Sequence, residues 1–305
     1  MSTSEAPHGG DGEAVARRLG IDPADLLDLS ASLNPVAPDP APVVARHLDS
    51  LGRYPDDGRA TAALAEAVGV DRSRLVLTNG GAEAIALVGQ LHPTGWAEEL
   101  DFSLYRRHLR VLDPDGPRWM SDPNNPTGRL ATADETAAVR DEAFYPLATG
   151  SWTRGDAGTI ALGSLTKVFA CPGLRLGHVI APDDETAEAL RRLRPRWSVG
   201  GLACAALPDL LATADLPGWA GQIAVLRAEM EGILEAHGLR PSPGAANYLW
   251  IPQAPHLRER LLEQRILVRS GVSFGAPDAV RIAVPPPSGL DRLAEALTRT
   301  EVHHG

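Results

Sequence analysis

Lysine is almost absent from this chain. Lys167 is the only one, and arginine supplies the other 28 of the 29 basic side chains. A guanidinium is effectively always protonated, whereas a desolvated ammonium can lose its proton and attack an aldehyde. One interpretation is a genome biased toward arginine codons that left one surface lysine by chance. The other is that the amine is kept for covalent chemistry, and the residues around Lys167 decide between them.

Cysteine, positive charge and long apolar runs are also scarce. Two cysteines, Cys171 and Cys204, form neither a disulfide framework nor a clustered zinc site, and the nine histidines show no ligand motif. The 39 acidic residues exceed the 29 basic ones, which argues against nonspecific binding to nucleic acid or anionic lipid. No apolar run has the length of a membrane span, and from the polar, acidic N-terminus we expect no secretory signal. We therefore expect a reduced, cytoplasmic enzyme that acts on a small molecule without a metal.

Strand and helix patterns alternate through the first two thirds of the chain. The predicted strands are 74–77, 111–112, 119–120, 159–162 and 177–181, and the predicted helices are 59–68 and 82–91. This alternation indicates an α/β fold with a mostly parallel sheet. Residues 34–42 (NPVAPDPAP) are dense in proline, which predicts an extended crossing segment.

The last third has a different pattern. Apolar residues from 223 to 233 recur at helical spacing, and Gly238 is placed to end that helix. Further strands are predicted at 246–251, 266–269 and 280–284, with a helix at 257–264. These elements predict a smaller α+β unit.

The sequence around Lys167 contains groups that bind phosphate. Ser164 lies three residues before the lysine and Arg175 eight residues after it, within Gly173-Leu174-Arg175-Leu176-Gly177. A Schiff-base cofactor that carries a phosphate needs an amine together with hydroxyl and guanidinium donors. Upstream, residues 79–83 (NGGAE) form a strand–turn–helix junction whose free N–H groups would bind the phosphate. Taken alone, such glycine turns usually only end strands.

Two further motifs lie between that turn and Lys167. Residues 122–128 (DPNNPTG) predict a rigid loop that presents Asn125 as a hydrogen-bond donor. Residues 141–144 (DEAF) follow, and a buried carboxylate at Asp141 would hold a pyridine nitrogen protonated.

Together these motifs resemble the pyridoxal-phosphate (PLP) enzymes of the class I/II aminotransferase family, fold type I. The order of the glycine turn, N-N-P-T-G, D-E-A and S-x-x-K-x-x-x-x-x-G-x-R-x-G is that of the family, and the resemblance covers nearly the whole chain. It implies a large PLP-binding domain at 37–215, whose mainly parallel sheet is flanked by helices. A smaller α+β domain would comprise 1–36 and 216–305.

The resemblance also implies roles for single residues around the cofactor. Lys167 would form the internal aldimine and move protons at the substrate α-carbon, and Asp141 would pair with the pyridine nitrogen. Asn125 would bind the phenolic oxygen, and Phe102 would stack on the ring. The implied phosphate ligands are Gly81, Ala82, Ser164 and Arg175.

Four residues are implied in the subunit interface and the substrate site. Tyr54 resembles the tyrosine that reaches the phosphate from a second subunit, which implies a homodimer. Arg281 matches the clamp for the substrate α-carboxylate, and Arg269 matches a second anion binder in the branch that takes phosphorylated amines. Asn34, in residues 30–35 (SASLNP), is a further predicted substrate contact. Alternatively, Tyr54 or Phe102 could be an ordinary packing residue, and either arginine could be a solvated charge at the end of a strand.

The reaction is indicated by three short signatures. His8-Gly9-Gly10, residues 30–35 and residues 196–199 (RWSV) resemble the cobalamin-pathway branch of the family. The branch contains threonine-phosphate decarboxylase and is related to histidinol-phosphate aminotransferase. The resemblance therefore implies decarboxylation of L-threonine O-3-phosphate in cobalamin biosynthesis. The alternatives are a transaminase of the histidinol-phosphate type and a PLP-fold binding protein without turnover.

The chain departs from the family pattern at four places. Phe144 replaces the tyrosine of D-E-A-Y, and Gly200 stands where the branch often has asparagine. Only 14 positions separate Thr127 from Asp141, and the stretch 103–123 is also short. This spacing predicts a trimmed sheet edge and leaves open whether a strand supports Asp141.

Overall fold

A computed structural model describes residues 9–302. His8, of the first short signature, lies outside these residues, as do His303 and His304. The α-helices are α1 (Gly12–Leu19), α2 (Ala41–Ala45), α3 (Gly58–Val68), α4 (Gly80–Leu91), α5 (Leu104–His108), α6 (Tyr145–Thr149), α7 (Leu165–Val168), α8 (Asp184–Leu193), α9 (Gly201–Leu211), α10 (Leu216–Ala236), α11 (Leu257–Glu263) and α12 (Pro287–Val302). The strands are β1 (Leu27–Leu29), β2 (Leu75–Asn79), β3 (Thr94–Gly95), β4 (Val111–Leu112), β5 (Trp119–Ser121), β6 (Val139–Asp141), β7 (Ile160–Gly163), β8 (Leu176–Ile180), β9 (Tyr248–Ile251), β10 (Ile266–Ser270) and β11 (Val280–Ala283).

Five strands form the larger sheet, in the order β2-β8-β7-β6-β5. Strands β5, β6 and β7 are parallel, and β8 is antiparallel to both of its neighbours, β7 and β2. Strand β2 consequently runs in the same direction as the three parallel strands. The mostly parallel sheet predicted from the alternation of strands and helices is confirmed.

Helices cover both faces of this sheet. On one face, Val76, Leu162 and Val179 pack against apolar residues of α4, α5 and α8. On the other face, Leu75 and Leu77 pack against α3, α7 and α9. Strands that are buried on both faces have near-continuous apolar sequences, which is why residues 75–77 and 160–162 were predictable as strands.

The smaller sheet has the order β1-β10-β11-β9, and β1 is parallel to β10 while the other pairs are antiparallel. The second half of α10 and α12 pack on it through residues such as Met230 and Leu293. The first turns of α10 instead bury Leu216 and Trp219 in the core of the larger sheet. The two sheets thus have separate cores that α10 connects, and the division at residues 36/37 and 215/216 stays a prediction.

The connection from β5 to β6 contains no helix, which is the trimming that the short spacing predicts. An ion-pair network lies beside this connection: Arg140 of β6, which is fully buried, contacts Asp122 at 3.2 Å and Asp156 at 3.1 Å. Arg154 joins the same two carboxylates at 3.3 and 2.9 Å. Strand β6 is paired on both sides, so Asp141 does have a supporting strand.

The proline-dense segment differs in part from the prediction. It is irregular only as far as Pro40, because α2 begins at Ala41 and contains Pro42 in its first turn. The first N–H groups of a helix have no intrahelical acceptor, so a proline costs no hydrogen bond there. Within residues 9–302, no helix combines the length and the apolar character needed to cross a membrane.

Candidate active site

Three predicted site residues follow three neighbouring parallel strands. Asn125 lies in the loop after β5, Asp141 ends β6, and Lys167 lies on α7 directly after β7. The carboxyl ends of parallel strands meet at one edge of the sheet, where ligands bind in open α/β folds. Helix α4 begins at this edge because β2 has the same direction, and Arg175 reaches it because β8 runs the opposite way.

The amine of Lys167 is surrounded by positive charge. Its Nζ donates to the Ala31 carbonyl oxygen at 2.7 Å. Burial lowers the pKa of Lys167 to about 7, and the guanidinium groups of Arg281, Arg269 and Arg175 add to this effect. A substantial share of the amine is therefore unprotonated near neutral pH, which is the state that attacks a carbonyl carbon.

Each carboxylate oxygen of Asp141 accepts one hydrogen bond. Tyr105 Oη donates to Oδ2 at 2.8 Å, and the backbone N–H of Ala143 donates to Oδ1 at 3.0 Å. Burial raises the pKa of Asp141, and the two hydrogen bonds and the charge of Lys167 oppose that rise. The carboxylate is thus fixed in orientation at the end of β6.

The N-terminus of α4 lies against Ser164, which follows β7, and Arg175, which precedes β8. A Cβ on Gly80, which has φ +75°, would collide with the Arg175 guanidinium, and a Cβ on Gly81 would lie 4.0 Å from Ser164 Oγ. Gly177 allows β8 to pass close to the start of α4, because a Cβ there would lie 2.7 Å from the Gly81 nitrogen. The first N–H groups of a helix lack intrahelical acceptors, so this cluster can bind an anion.

Asn125 connects the larger sheet to the smaller one. Its Oδ1 accepts a hydrogen bond from Arg281 Nη1 at 2.6 Å, and its backbone N–H donates to Ser121 Oγ at 2.7 Å. Arg281 Nη2 also donates to the Ser30 carbonyl oxygen at 3.0 Å. The oxygen of the Asn125 amide is therefore occupied, which leaves its Nδ2 as the group that can donate to a ligand.

Arg281 and Arg269 are direct neighbours in the smaller sheet. They are paired across β10 and β11, and both side chains are buried. The Arg281 guanidinium lies 4.7 Å from the centroid of the Tyr248 ring, and that of Arg269 lies 4.6 Å from the centroid of Phe274. Burial lowers the pKa of Arg281 to about 10 and that of Arg269 to about 9, the latter with a contribution from Arg281. Two cations held this close favour an anionic ligand, since an anion offsets their repulsion.

Phe102 and Asn34 occupy different environments. The ring of Phe102 packs edge-to-face on Tyr105 at 5.7 Å between centroids, and Arg269 lies 6.0 Å from it. Asn34 is buried and uses its side chain on the backbone: Nδ2 donates to the Val168 carbonyl at 3.0 Å, and Oδ1 accepts from the Val36 N–H. Asn34 thus fixes the turn behind Lys167, and its predicted contact with substrate stays a prediction.

Tyr54 projects into solvent. It is 79% exposed and packs on Trp197, which is 54% exposed, at 4.7 Å between ring centroids. Trp197 belongs to the signature at residues 196–199. Two exposed aromatic rings in contact are suited to a protein interface.

Sequence reasoning missed Tyr105, Asp101 and Tyr248. Asp101 accepts hydrogen bonds from the Ser121 hydroxyl and from the backbone N–H groups of Ser121 and Phe102. Tyr248 donates to the Asn124 carbonyl at 2.9 Å and lies under Arg281. Asp101 and Tyr105 flank Phe102 in the sequence, so a tyrosine three residues after the predicted stacking ring was the available signal.

The comparisons with known proteins agree with this arrangement. The family "Aminotransferase class I and II" matches residues 119–297. The chain is 32% identical to threonine-phosphate decarboxylase of Salmonella typhimurium, and the match covers 97% of each protein. This chain belongs to the class I and II aminotransferase family. Other family members include histidinol-phosphate aminotransferase 1 of Dechloromonas aromatica, which is 26% identical over 93% of this chain and 92% of the relative.

A solved aminotransferase structure has the same fold. Histidinol-phosphate aminotransferase of Sinorhizobium meliloti in complex with pyridoxal-5'-phosphate matches with a TM-score of 0.86, covering 99% of this chain and 96% of that one, at 20% identity. The predicted fold type I architecture is confirmed. The alignment with the Salmonella relative runs over 358 residues, whereas this family member has 305, so the relative contains internal segments absent here.

Proposed function

We propose that this protein is a PLP enzyme whose cofactor is bound covalently by Lys167. In this proposal Asp141 keeps the pyridine nitrogen protonated, and Asn125 Nδ2 donates to the phenolic oxygen. When bound, the protonated ring withdraws electrons from the substrate α-carbon. Phe102 stacks on the ring, and Lys167 moves protons at that carbon.

The residues fit the phosphate of this cofactor as well as its ring. We assign the phosphate to the N–H groups of Gly81 and Ala82, the Ser164 hydroxyl and the Arg175 guanidinium. These groups lie together at the N-terminus of α4, where the helix dipole favours negative charge. The lowered pKa of Lys167 supports the covalent link, because the reacting form of the amine is the neutral one.

For the substrate we propose L-threonine O-3-phosphate, which this enzyme would decarboxylate. The observation that carries this proposal is the pair of neighbouring buried cations, Arg281 and Arg269. That substrate has two anionic groups, a carboxylate and a phosphate, and we assign the carboxylate to Arg281 and the phosphate to Arg269. Histidinol phosphate has a phosphate but no carboxylate, so it lacks one of the two anionic groups that this assignment uses. The 32% identity to a protein named threonine-phosphate decarboxylase supports the same choice.

Transamination of the histidinol-phosphate type is the second candidate. Relatives that carry this name match at 26% and 28% identity over 93% of the chain. An amino donor with two carboxylates would also offer an anionic group to each arginine.

We further propose a cytoplasmic homodimer in which Tyr54 of one subunit reaches the phosphate site of the other. The exposure of Tyr54 and Trp197 supports this assembly. The two cysteines, Cys171 and Cys204, are free and buried, which agrees with a reducing compartment.

The first experiment uses the single lysine. The purified protein is incubated with PLP, its visible absorption is recorded, and borohydride reduction is followed by peptide mass mapping. We expect one phosphopyridoxyl group, on Lys167, and none in a Lys167→Arg variant. Absence of the adduct in the wild type would reject the catalytic proposal and favour a binding protein without turnover.

The second experiment separates the two reactions. The PLP-loaded enzyme is given L-threonine O-3-phosphate without a keto acid, and carbon dioxide and pyridoxamine phosphate are both measured. Decarboxylation predicts repeated release of carbon dioxide with little pyridoxamine phosphate. Stoichiometric pyridoxamine phosphate, with turnover only when a keto acid is added, would identify a transaminase instead.

A further inference from the structure

Tyr105 makes the one side-chain hydrogen bond that Asp141 accepts among residues 9–302. Its Oη lies 2.8 Å from Asp141 Oδ2, while Oδ1 accepts the Ala143 N–H. Tyr105 is only 1% exposed, and its ring packs edge-to-face on Phe102 at 5.7 Å and in a tilted contact on Trp119 at 6.0 Å between centroids. The packing fixes the hydroxyl in one position, so it can fix the carboxylate in turn.

The hydroxyl of Tyr105 acts as a donor in this contact. Burial raises its pKa well above the ordinary value for tyrosine, and the negative charges of Asp141 and Asp101 raise it further. The phenol therefore keeps its proton and donates a hydrogen bond to Asp141. A carboxylate that accepts a hydrogen bond in its charged form is a weaker base than one without that donor.

We infer that Tyr105 is a positioning residue that orients the Asp141 carboxylate and keeps it ionised, so that a proton shared with a pyridine nitrogen stays on the nitrogen. This inference rests on the proposed function, since it concerns the same cofactor ring. Tyr105 matters more here because residue 144 is phenylalanine, whose ring carries no hydroxyl and cannot help to hold the cofactor by hydrogen bonding.

The position of Tyr105 in the sequence strengthens this assignment. Asp101, Phe102 and Tyr105 lie within five residues, and Asp101 fixes Ser121, whose hydroxyl accepts the Asn125 N–H. One short segment thus supports the partner proposed for the ring nitrogen and the partner proposed for the phenolic oxygen. It also contains the ring proposed to stack on the cofactor.

The test measures the ring nitrogen directly. Wild-type protein, Tyr105→Phe and Asp141→Asn are each loaded with PLP that carries 15N in the pyridine ring, and the nitrogen resonance is recorded by NMR. We expect Tyr105→Phe to move the resonance from the protonated position toward that of Asp141→Asn. We also expect its PLP dissociation constant to rise by about ten-fold, because an Asp141 carboxylate that is no longer held by Tyr105 pairs less well with the ring nitrogen.

Two controls separate positioning from packing. Tyr145→Phe also removes one tyrosine hydroxyl, but outside this contact, and should leave the resonance at the wild-type position. Site-specific replacement of Tyr105 by 3,5-difluorotyrosine keeps the ring shape and makes the hydroxyl a stronger donor. This replacement should move the resonance further toward the protonated position, and it serves even if Tyr105→Phe folds poorly.

The outcomes are distinguishable from those that test the proposed function. A wild-type resonance in Tyr105→Phe, or no response to the fluorinated side chain, overturns the positioning role while the Lys167 adduct remains intact. Failure of the wild type to form the adduct rejects the proposed function itself.

Discussion

Asp101 allows a prediction about the pH dependence of stability. Its carboxylate is 2% exposed and accepts hydrogen bonds from the Ser121 hydroxyl, the Ser121 N–H at 3.1 Å and the Phe102 N–H at 2.7 Å. Burial raises the pKa of Asp101 from 3.8 to about 7, and the nearby Asp141 adds to the increase. The perturbation is Asp101→Asn, which has nearly the same shape and carries no charge at any pH.

The sign of the effect follows from proton binding. Between pH 4 and pH 7 the folded wild type binds this proton more tightly than the unfolded chain does, so its free energy of unfolding falls as the pH rises through that range. A shift of about 3 pH units corresponds to about 4 kcal/mol, as an upper limit. The carboxamide of Asp101→Asn does not titrate. The free energy of unfolding of the variant, relative to that of the wild type, should therefore increase between pH 4 and pH 7 by up to about 4 kcal/mol.

The substitution also has a cost that does not depend on pH. The amide oxygen introduced by Asp101→Asn can replace Oδ1, but the new NH2 group would face the Ser121 N–H, and a buried donor without an acceptor costs about 1–3 kcal/mol. We therefore expect the variant to be the less stable protein at pH 5 and the more stable one at pH 8, so that the two stability curves cross.

The assay is urea unfolding of the protein without added cofactor, followed by tryptophan fluorescence at several pH values from 5 to 8.5. Asp115→Asn, which neutralises an exposed carboxylate, is the control for the change in net charge. A difference between Asp101→Asn and wild type that stays constant across this range would refute the reasoning.

Three further predictions concern other parts of the chain. Arg140→Met should lower the free energy of unfolding by about 3–5 kcal/mol in urea titrations, because buried Asp122 loses the fully buried one of its two arginine partners and keeps only Arg154; a loss below about 1 kcal/mol would contradict this. Arg281→Lys keeps the charge but loses the two guanidinium N–H donors that contact Asn125 and Ser30. The KM for L-threonine O-3-phosphate should rise at least about ten-fold while borohydride still labels Lys167, and an unchanged KM would exclude the carboxylate clamp. Tyr54→Ala and Lys167→Ala should each be inactive, and their mixture should recover activity through hybrid dimers; no recovery would argue against a shared site.

The sequence was sufficient for the local elements and for the chemical groups. Residues 75–77 and 160–162 are continuous apolar runs because strands buried on both faces need no polar alternation. The order of the motifs around Lys167 predicted the family, since each motif is short and keeps its own spacing. The single lysine was informative because arginine cannot replace an amine that must lose its proton.

Only the tertiary structure decided which side chains support the site. The pairing of Arg269 with Arg281 depends on the register of β10 and β11, and the hydrogen bond from Tyr105 to Asp141 joins residues 36 positions apart. The strand that supports Asp141 is visible only in the structure, where β6 pairs with β5 and β7. Its three residues are too few to show the alternation of a strand in the sequence. Likewise, the buried network joins Asp122, Arg140 and Arg154 from three separate segments, and the sequence gives no sign that these charged residues meet in a core. Local patterns record what each segment must bury, whereas contacts between distant segments arise only when the sheets assemble.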